Sequence, residues 1–354
     1  VVVHEILKKI IKNKDIYKGS YEGYYCSGCE SYITEKELVN GKCPEHNRKP
    51  DFMKEEAYFF RLSKYKDKLI KFAEDYIVPE SKKKEIVFRL KEGLNDLCVS
   101  RSNADWGIDF PDDKKYKVYV WVDALINYIS GAKDKWPADV HVIGKGINWF
   151  HSVIWPALLM SASYELPKKL LVHGYLNIGG KKISKSLGNT IDPLELLKKY
   201  SADSIRYSLL RCSVFDDSDY SEELLIERHN NELANKLGNL VSRVSGLIEK
   251  YGTEKCENKL VKKLNEKKID EFFKNFELDK ALSEIFAFVD VCNEYVQHKK
   301  PWETKDKKVL FELKEAILKV AELLWPYIPE SSEKITNIFN SAKIKKSEPL
   351  FVKI

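Results

Sequence analysis

Apolar positions recur at helical spacing near both ends of this 354-residue chain and crowd into short strand-like runs in its middle. In the opening VVVHEILKKIIKNKDIY, Val3, Ile6, Leu7, Ile10 and Ile11 share one face with lysines between them, which predicts an amphipathic helix. Tyr21 to about Pro111 is mixed, with short strands, glycines, prolines and paired cysteines. From Tyr116 to about Ile178, KVYVWVDA, DVHVIG and KLLVHGYL read as strands, and INWFHSVIWPALLMSA reads as a helix between the last two. Such alternation predicts βαβ units and an α/β fold with a parallel sheet, which binds ligands at the carboxyl ends of its strands. Past Pro193 the period becomes helical. Leu237, Leu240, Val241, Val244, Leu247 and Ile248 form one stripe, and Leu278, Leu282, Ile285, Val289, Cys292 and Val296 a second. Leu310, Leu313, Ile317, Val320 and Leu324 form a third, so an antiparallel helical bundle is expected from about Glu222 to the end.

Composition narrows the class. Hydrophobic residues at 44% and charged residues at 32% describe a globular chain of two or three domains. No apolar run approaches the roughly 20 residues of a membrane span, and the opening helix lacks a signal-peptide cleavage site, so a cytoplasmic protein with no membrane partner is expected. The chain starts at Val1 without an initiator Met or a capping residue, which gives the expectation that it is part of something longer. A net charge of +6 permits a polyanion partner without demanding one. KLVKKLNEKK, Lys259 to Lys268, reads as a solvated basic face rather than a nucleic-acid patch. Seven cysteines, an odd number, argue against a disulfide framework and for reduced thiols or a metal.

YYCSGCESYITEKELVNGKCPEH sets Cys26 and Cys29 two residues apart and Cys43 and His46 at the same gap. Two short-spaced pairs of soft S and N ligands complete a tetrahedron suited to structural zinc, with no position left for catalysis. A chance cluster or a redox pair is the other reading. GGKKISKSLGNTIDP, Gly179 to Pro193, follows a strand and a tight glycine turn. Its lysines and serines can reach a polyphosphate and neutralise charge on a leaving pyrophosphate, although the spacing is not that of a Walker A loop. A solvent-exposed basic turn accounts for them equally well. Trp121, Ala124, Leu125 and Tyr128 end one expected strand, while Ile147, His151 and Trp155 fall on one face of the helix after the next. They form either an aromatic hollow fit for a flexible thioether or ordinary core. Asn239 and Arg243 share a helix face off the apolar stripe, and Pro301 and Trp302 follow the second long helix. These residue types can read or stack on nucleobases, or serve as a helix cap beside a half-buried Trp.

Lys182-Ile183-Ser184-Lys185-Ser186 resembles the KMSKS signature of class I aminoacyl-tRNA synthetases, and its surroundings resemble the methionyl-tRNA synthetases in particular. The likeness runs through YEGYYCSGCE...CPEH, YFFRLSKY, SRSNADWGI, YVWVDALINY, HVIGKGINWFHSVIWPALLM, GNLVSR and KKPW, essentially the whole chain. The resemblance implies ATP-dependent activation of L-methionine to methionyl-adenylate, with ATP and Mg as substrate, and transfer to the 3′ end of tRNA(Met). It implies a helix ending the first Rossmann half over 1–20, a zinc-binding connective insertion over 21–115 and a second Rossmann half over 116–185. The lysine loop and a stem-contact region take 186–221, and an all-α anticodon-binding domain takes 222–354. Lys182, Lys185 and Arg101 become catalytic. Gly144, Lys145, Lys182, Ser184, Lys185 and Ser186 bind ATP, and Trp121, Ala124, Leu125, Tyr128, Ile147, His151 and Trp155 bind methionine. Cys26, Cys29, Cys43 and His46 hold the single zinc, and Asn239, Arg243, Pro301 and Trp302 read the anticodon. Two departures stand out. Gly146 replaces the acid of the usual GKD, and Arg101, in VSRS, matches an arginine that works near that acid and the substrate. No H-x-G-H occurs, so the resemblance puts the HIGH-bearing first Rossmann half outside the chain, as a separate N-terminal half or an omitted segment. The alternative is an incomplete synthetase half acting as a zinc-containing tRNA-binding module; a zinc-ribbon binder unrelated to synthetases leaves the pocket unexplained.

Overall fold

The computed structural model describes residues 2–28, 31–33, 35–102, 104–183 and 188–354, without the side chains of residues 21, 22, 31, 32, 36, 54, 55 and 182. Two compact units, Val1–Val172 and His173–Ile354, make up the chain.

In the first unit the opening helix, Val2–Lys12, buries Val3, Ile6, Leu7 and Ile10, as its period predicts. A long antiparallel hairpin follows, with Ile16–Cys26 paired to Asp51–Phe60 from Ile16↔Phe60 to Tyr25↔Asp51 and Ser31–Ile33 on the other edge. The parallel sheet is smaller than expected. Lys169–His173 is its middle strand, flanked by Val140–Gly144 and by Ile77–Val78, which pairs in parallel through Leu170↔Ile77. Ile77–Val78 lies in the mixed segment and is too short to show a period of its own.

The third expected strand is corrected. Asp113–Val118 is a strand of a separate antiparallel sheet, with Ser100–Arg101 and Asp109–Phe110, and the chain then enters the helix Val120–Ala132. Trp121, Ala124, Leu125 and Tyr128 therefore lie on a helix, not at a strand end. Their spacing of i, i+3, i+4 and i+7 is that of one helical face, and packing of that face outweighs the β propensity of VYVWV. The expected helix over 147–162 forms in three pieces: a 3₁₀ turn at Lys145–Ile147, π turns at Phe150–Ile154 and the α-helix Trp155–Ala162. Leu7, Ile10, Leu90, Val122, Trp155, Leu158 and Leu170 fill the core beneath.

The second unit starts with a small sheet. Leu176–Ile178 turns through Gly179 and Gly180 into Lys181–Lys182, and it pairs in parallel with Ser218–Asp219. Both glycines have positive φ, +58° and +73°, as a two-residue hairpin turn of this hand requires. Helices Pro193–Lys199 and Ala202–Leu210 follow, each begun by a side chain that accepts a backbone N–H, Asp192 from Leu194 and Ser201 from Ser204.

All three predicted stripes are found on Asn239–Tyr251 with its preceding π turns, on Leu278–Lys299 and on Lys307–Leu324. Two more helices, Glu266–Lys274 and Pro329–Asn340, join the bundle. The latter buries Ser331 and Ser332 beside Ile335 and Phe339, so its inward face looks polar in sequence. Helix does not reach the end of the chain: beyond Asn340 it is irregular, and its backbone is taken up by side chains, with Ser347 N–H donating to Ser245 Oγ at 3.0 Å and Val352 O accepting from His229 Nε2 at 2.8 Å. Within the basic run Lys262 and Lys268 pair with Glu257 and Glu284, and its Glu266 pairs with Lys319. Among the described residues no helix is long and apolar enough to cross a membrane.

Candidate functional site

The hairpin brings three of the four expected metal ligands together. Ligand atoms of Cys26, Cys43 and His46 all lie within 4.8 Å of one another, with Cys43 Sγ 3.9 Å from His46 Nδ1. Ligands about 2.1–2.3 Å from a tetrahedral zinc stand at such separations. Cys43 N–H donates to Arg48 O at 2.9 Å and Asn47 N–H to Cys43 O at 2.8 Å, which curls the second ligand pair into a knuckle. A Cβ on Gly28 would sit 2.7 Å from the His46 ring, so a side chain there would displace that ring. Cys29 lies outside the described residues. Among the described residues the surrounding apolar cluster is Cys26, Ile33, Cys43 and the partly buried Leu38.

The aromatic positions converge as well. Tyr128 Oη and His151 Nε2 are 2.9 Å apart, and His151 Nδ1 lies 3.1 Å from Ile147 O. A carbonyl only accepts, so Nδ1 carries the proton and Nε2 of the neutral ring accepts from the Tyr128 hydroxyl. Burial holds the His151 pKa below its usual value, against the opposing pull of the Ile147 carbonyl, and it raises that of Tyr128. The pocket is therefore uncharged at neutral pH. Trp121 stacks at 4.1 Å and 15° on Phe150, which directly precedes His151 and has no signal of its own in the sequence. Leu125 and Trp155 are closed into the core, while Trp121, Ala124, Tyr128 and Ile147 are half-buried.

Gly144 ends its strand and Lys145 opens the next turn, at the strand end where nucleotides are bound in such sheets. Gly146 is exposed. Arg101 lays its guanidinium 4.0 Å over the Tyr119 ring and donates to Ser100 O at 2.9 Å. It lines a cavity of about 430 Å³ together with Tyr25, Trp106, Lys117 and Asp123. Asp123 was not singled out in the sequence, yet it lines the same cavity as Arg101, which the resemblance sets near an acid where this chain has Gly146. Its signal was the acid in WVDA, one turn into the helix.

Of the lysine loop, Ser184, Lys185 and Ser186 and the side chain of Lys182 lie outside the described residues. The root of the loop is described. Gly180 N–H donates to Asp219 Oδ1 at 2.8 Å and Tyr175 N–H to Asp217 Oδ1 at 2.9 Å. Gly174 N–H donates to Val214 O at 3.0 Å, and a Cβ at Gly174 would fall 2.2 Å from Asp216 O. The segment SVFDDSDY thus braces the strands on which the loop is mounted, from some 40 residues downstream.

In the bundle, the Arg243 guanidinium lies 4.5 Å over the Trp302 ring and donates to Gln297 Oε1 at 2.8 Å. Burial lowers the Arg243 pKa. Pro301 is buried, Trp302 half-buried, and Asn239 is exposed with its amide donating to Asn235 O at 3.0 Å. Arg243 and Trp302 thus meet although 59 positions separate them, and Gln297 joins them unforeseen.

A family model described as tRNA synthetases class I (M) matches residues 1–51 and 46–245, and one described as anticodon-binding domain of tRNA ligase matches residues 257–353. The methionine–tRNA ligase of Clostridium acetobutylicum is 42% identical over 372 residues, covering 96% of this chain and 58% of that protein. That of Thermotoga maritima is 42% identical over 368 residues, covering 94% of this chain and again 58% of the relative. A solved methionyl-tRNA synthetase of Mycobacterium tuberculosis bound by methionyl-adenylate superimposes with a TM-score of 0.91 at 32% identity, covering 99% of this chain and 80% of that one. The chain spans a little over half the length of these two curated relatives.

Proposed function

The chain belongs to the tRNA synthetases class I (M) family, and from that premise we propose that it activates L-methionine with ATP and passes the methionyl group to tRNA(Met). The observation that carries this reading is the uncharged chain Tyr128–His151–Ile147 beside the Trp121–Phe150 stack, a flat apolar site with two polar tips. A thioether suits such a site because sulfur packs well at aromatic edges. The methionine carboxylate oxygen attacks the α-phosphorus of ATP, and the bond to pyrophosphate breaks. No side chain acts as nucleophile. Lys182 and Lys185 neutralise the charge developing on the leaving pyrophosphate, Ser184 and Ser186 position their loop, and Gly144 and Lys145 approach the nucleotide. Arg101, with Asp123 in place of an acid at position 146, orders the polar side of the cavity.

In this reading Cys26, Cys29, Cys43 and His46 hold a structural zinc that shapes the insertion over 21–115 and takes no part in the reaction. The bundle over 222–354 presents Asn239, Arg243, Pro301 and Trp302 to the anticodon, and the divisions 1–20, 116–185 and 186–221 take the roles that the resemblance implies. Methionine-dependent ATP–pyrophosphate exchange by the product of the full-length gene tests the whole. Exchange is expected, falling about 10²–10³-fold in Lys182→Ala, the range for losing one charge-stabilising donor. No exchange, with tRNA bearing CAU still bound, would replace this reading with that of a tRNA-binding module.

A further inference from the structure

Behind Tyr128 stands a second histidine that the amino-acid site has not yet used. His141, on the strand Val140–Gly144, is 5% exposed, and its Nε2 finds no hydrogen-bond partner among the described residues. Contacts between rings, not a hydrogen bond from that nitrogen, place it. Its ring centroid lies 4.5 Å from that of Tyr128 at an interplanar angle of 56°, 6.1 Å from His151 and 6.0 Å from Trp136. Trp136 is itself fixed, its Nε1 donating to Glu165 O at 2.9 Å while its ring meets Trp155 edge-on at 5.7 Å. The Tyr128 ring is therefore held between a rigid wall behind it and the His151 acceptor in front. Burial, reinforced by His151, lowers the His141 pKa to about 4, so the wall is uncharged at neutral pH.

We propose that His141 is a positioning residue for methionine selection, backing the Tyr128 ring so that its hydroxyl stays on His151 Nε2 and the thioether meets a fixed polar tip. The proposal rests on the reading of Tyr128 and His151 as methionine contacts. An orphaned buried nitrogen costs stability, so a site built for packing alone is improved by an apolar ring there. A site that needs a wall behind Tyr128 tolerates that ring but not its loss.

The test measures methionine and ATP dependence of pyrophosphate exchange, with thermal melts, in the product of the full-length gene carrying His141→Ala, His141→Phe or His151→Ala. His141→Ala is expected to raise KM for methionine about tenfold with KM for ATP changed less than about twofold, the split that marks a lost methionine-side interaction. His141→Phe restores a wall and is expected to return KM for methionine to within about threefold of the parent while melting no lower. An unchanged KM for methionine in His141→Ala, or an equal rise for both substrates, overturns the proposal. His151→Ala separates the two levels: if it leaves KM for methionine unmoved the pocket reading itself fails, whereas if it raises KM and His141→Ala does not, only the role of His141 fails.

Discussion

Asp15 is 1% exposed, and Lys64 Nζ at 2.6 Å, Tyr65 Oη at 2.5 Å and Ser161 Oγ at 2.7 Å converge on its carboxylate. Burial is the largest influence on its pKa and pushes upward, but the three hydrogen bonds and the Lys64 charge together outweigh it and hold the group below its usual value. A carboxyl depressed in the folded state stabilises above its unfolded pKa near 3.8, and that stability is lost as pH falls through the lower folded value. Asp15→Asn is expected to cost about 1–3 kcal/mol at pH 7, read as a lower melting temperature, and the difference should close below about pH 3. His141 acts in a different window. Its pKa is lowered from 6.5 to about 4, so the unfolded ring takes a proton that the folded ring refuses, and stability falls as pH drops from 6.5 toward 4. Melts at pH 7 and pH 5 should differ more in the parent than in His141→Phe; equal differences would contradict the buried neutral imidazole. At this scale His151 was visible in sequence because the helical period aims it inward beside aromatic neighbours. Asp15 was not, since in KNKDIY it looks like a surface acid and its partners are 49, 50 and 146 residues away.

Among the elements, the cysteine hairpin and the brace of the lysine loop carry their own expectations. Among the described residues the hairpin lobe has a small apolar cluster and gathers three metal-ligand side chains, so its order should depend on metal. Metal analysis of the purified protein should give about one zinc per chain, and a chelator should lower the melting temperature by several degrees; no zinc together with identical melts would remove the metal centre. Gly174→Ala should destabilise the second unit by more than about 2 kcal/mol, because the added Cβ meets the backbone oxygen of Asp216 at 2.2 Å and neither chain can yield without breaking the bond to Val214. An unchanged melt would refute that crossing. The bundle helices were legible because each carries its own apolar stripe. The start of helix Val120–Ala132 looks like the end of a strand because VYVWV carries strong β propensity, and only packing of the face of Trp121, Leu125 and Tyr128 decides between the two. Ile77–Val78 and Ser218–Asp219 were invisible for a plainer reason: two residues have no period, and they become strands only when a partner supplies the ladder.

Among the described residues each compact unit has a large hydrophobic core of its own. A fragment of residues 173–354 keeps its core complete and should unfold cooperatively by itself. If the bundle reads the anticodon, that fragment should prefer tRNA bearing CAU, and Trp302→Ala should erase the preference while leaving the melt within about 1 kcal/mol; a preference that survives would displace Trp302 from that role. What the sequence alone determined is what spacing within a short stretch can encode: the amphipathic helices, the paired ligand spacings of the hairpin, the glycine turn before the lysine loop, and motifs enough to indicate the family. Those features are local because helix periodicity, turn conformation and ligand spacing act over a few residues. Only the tertiary structure decided what depends on distant segments meeting: Arg243 over Trp302, Asp123 and Arg101 on one cavity, Asp219 beneath Gly180, and His141 behind Tyr128. Each of these partners looks ordinary in its own stretch of chain, and its chemistry exists only at the distance that the fold imposes.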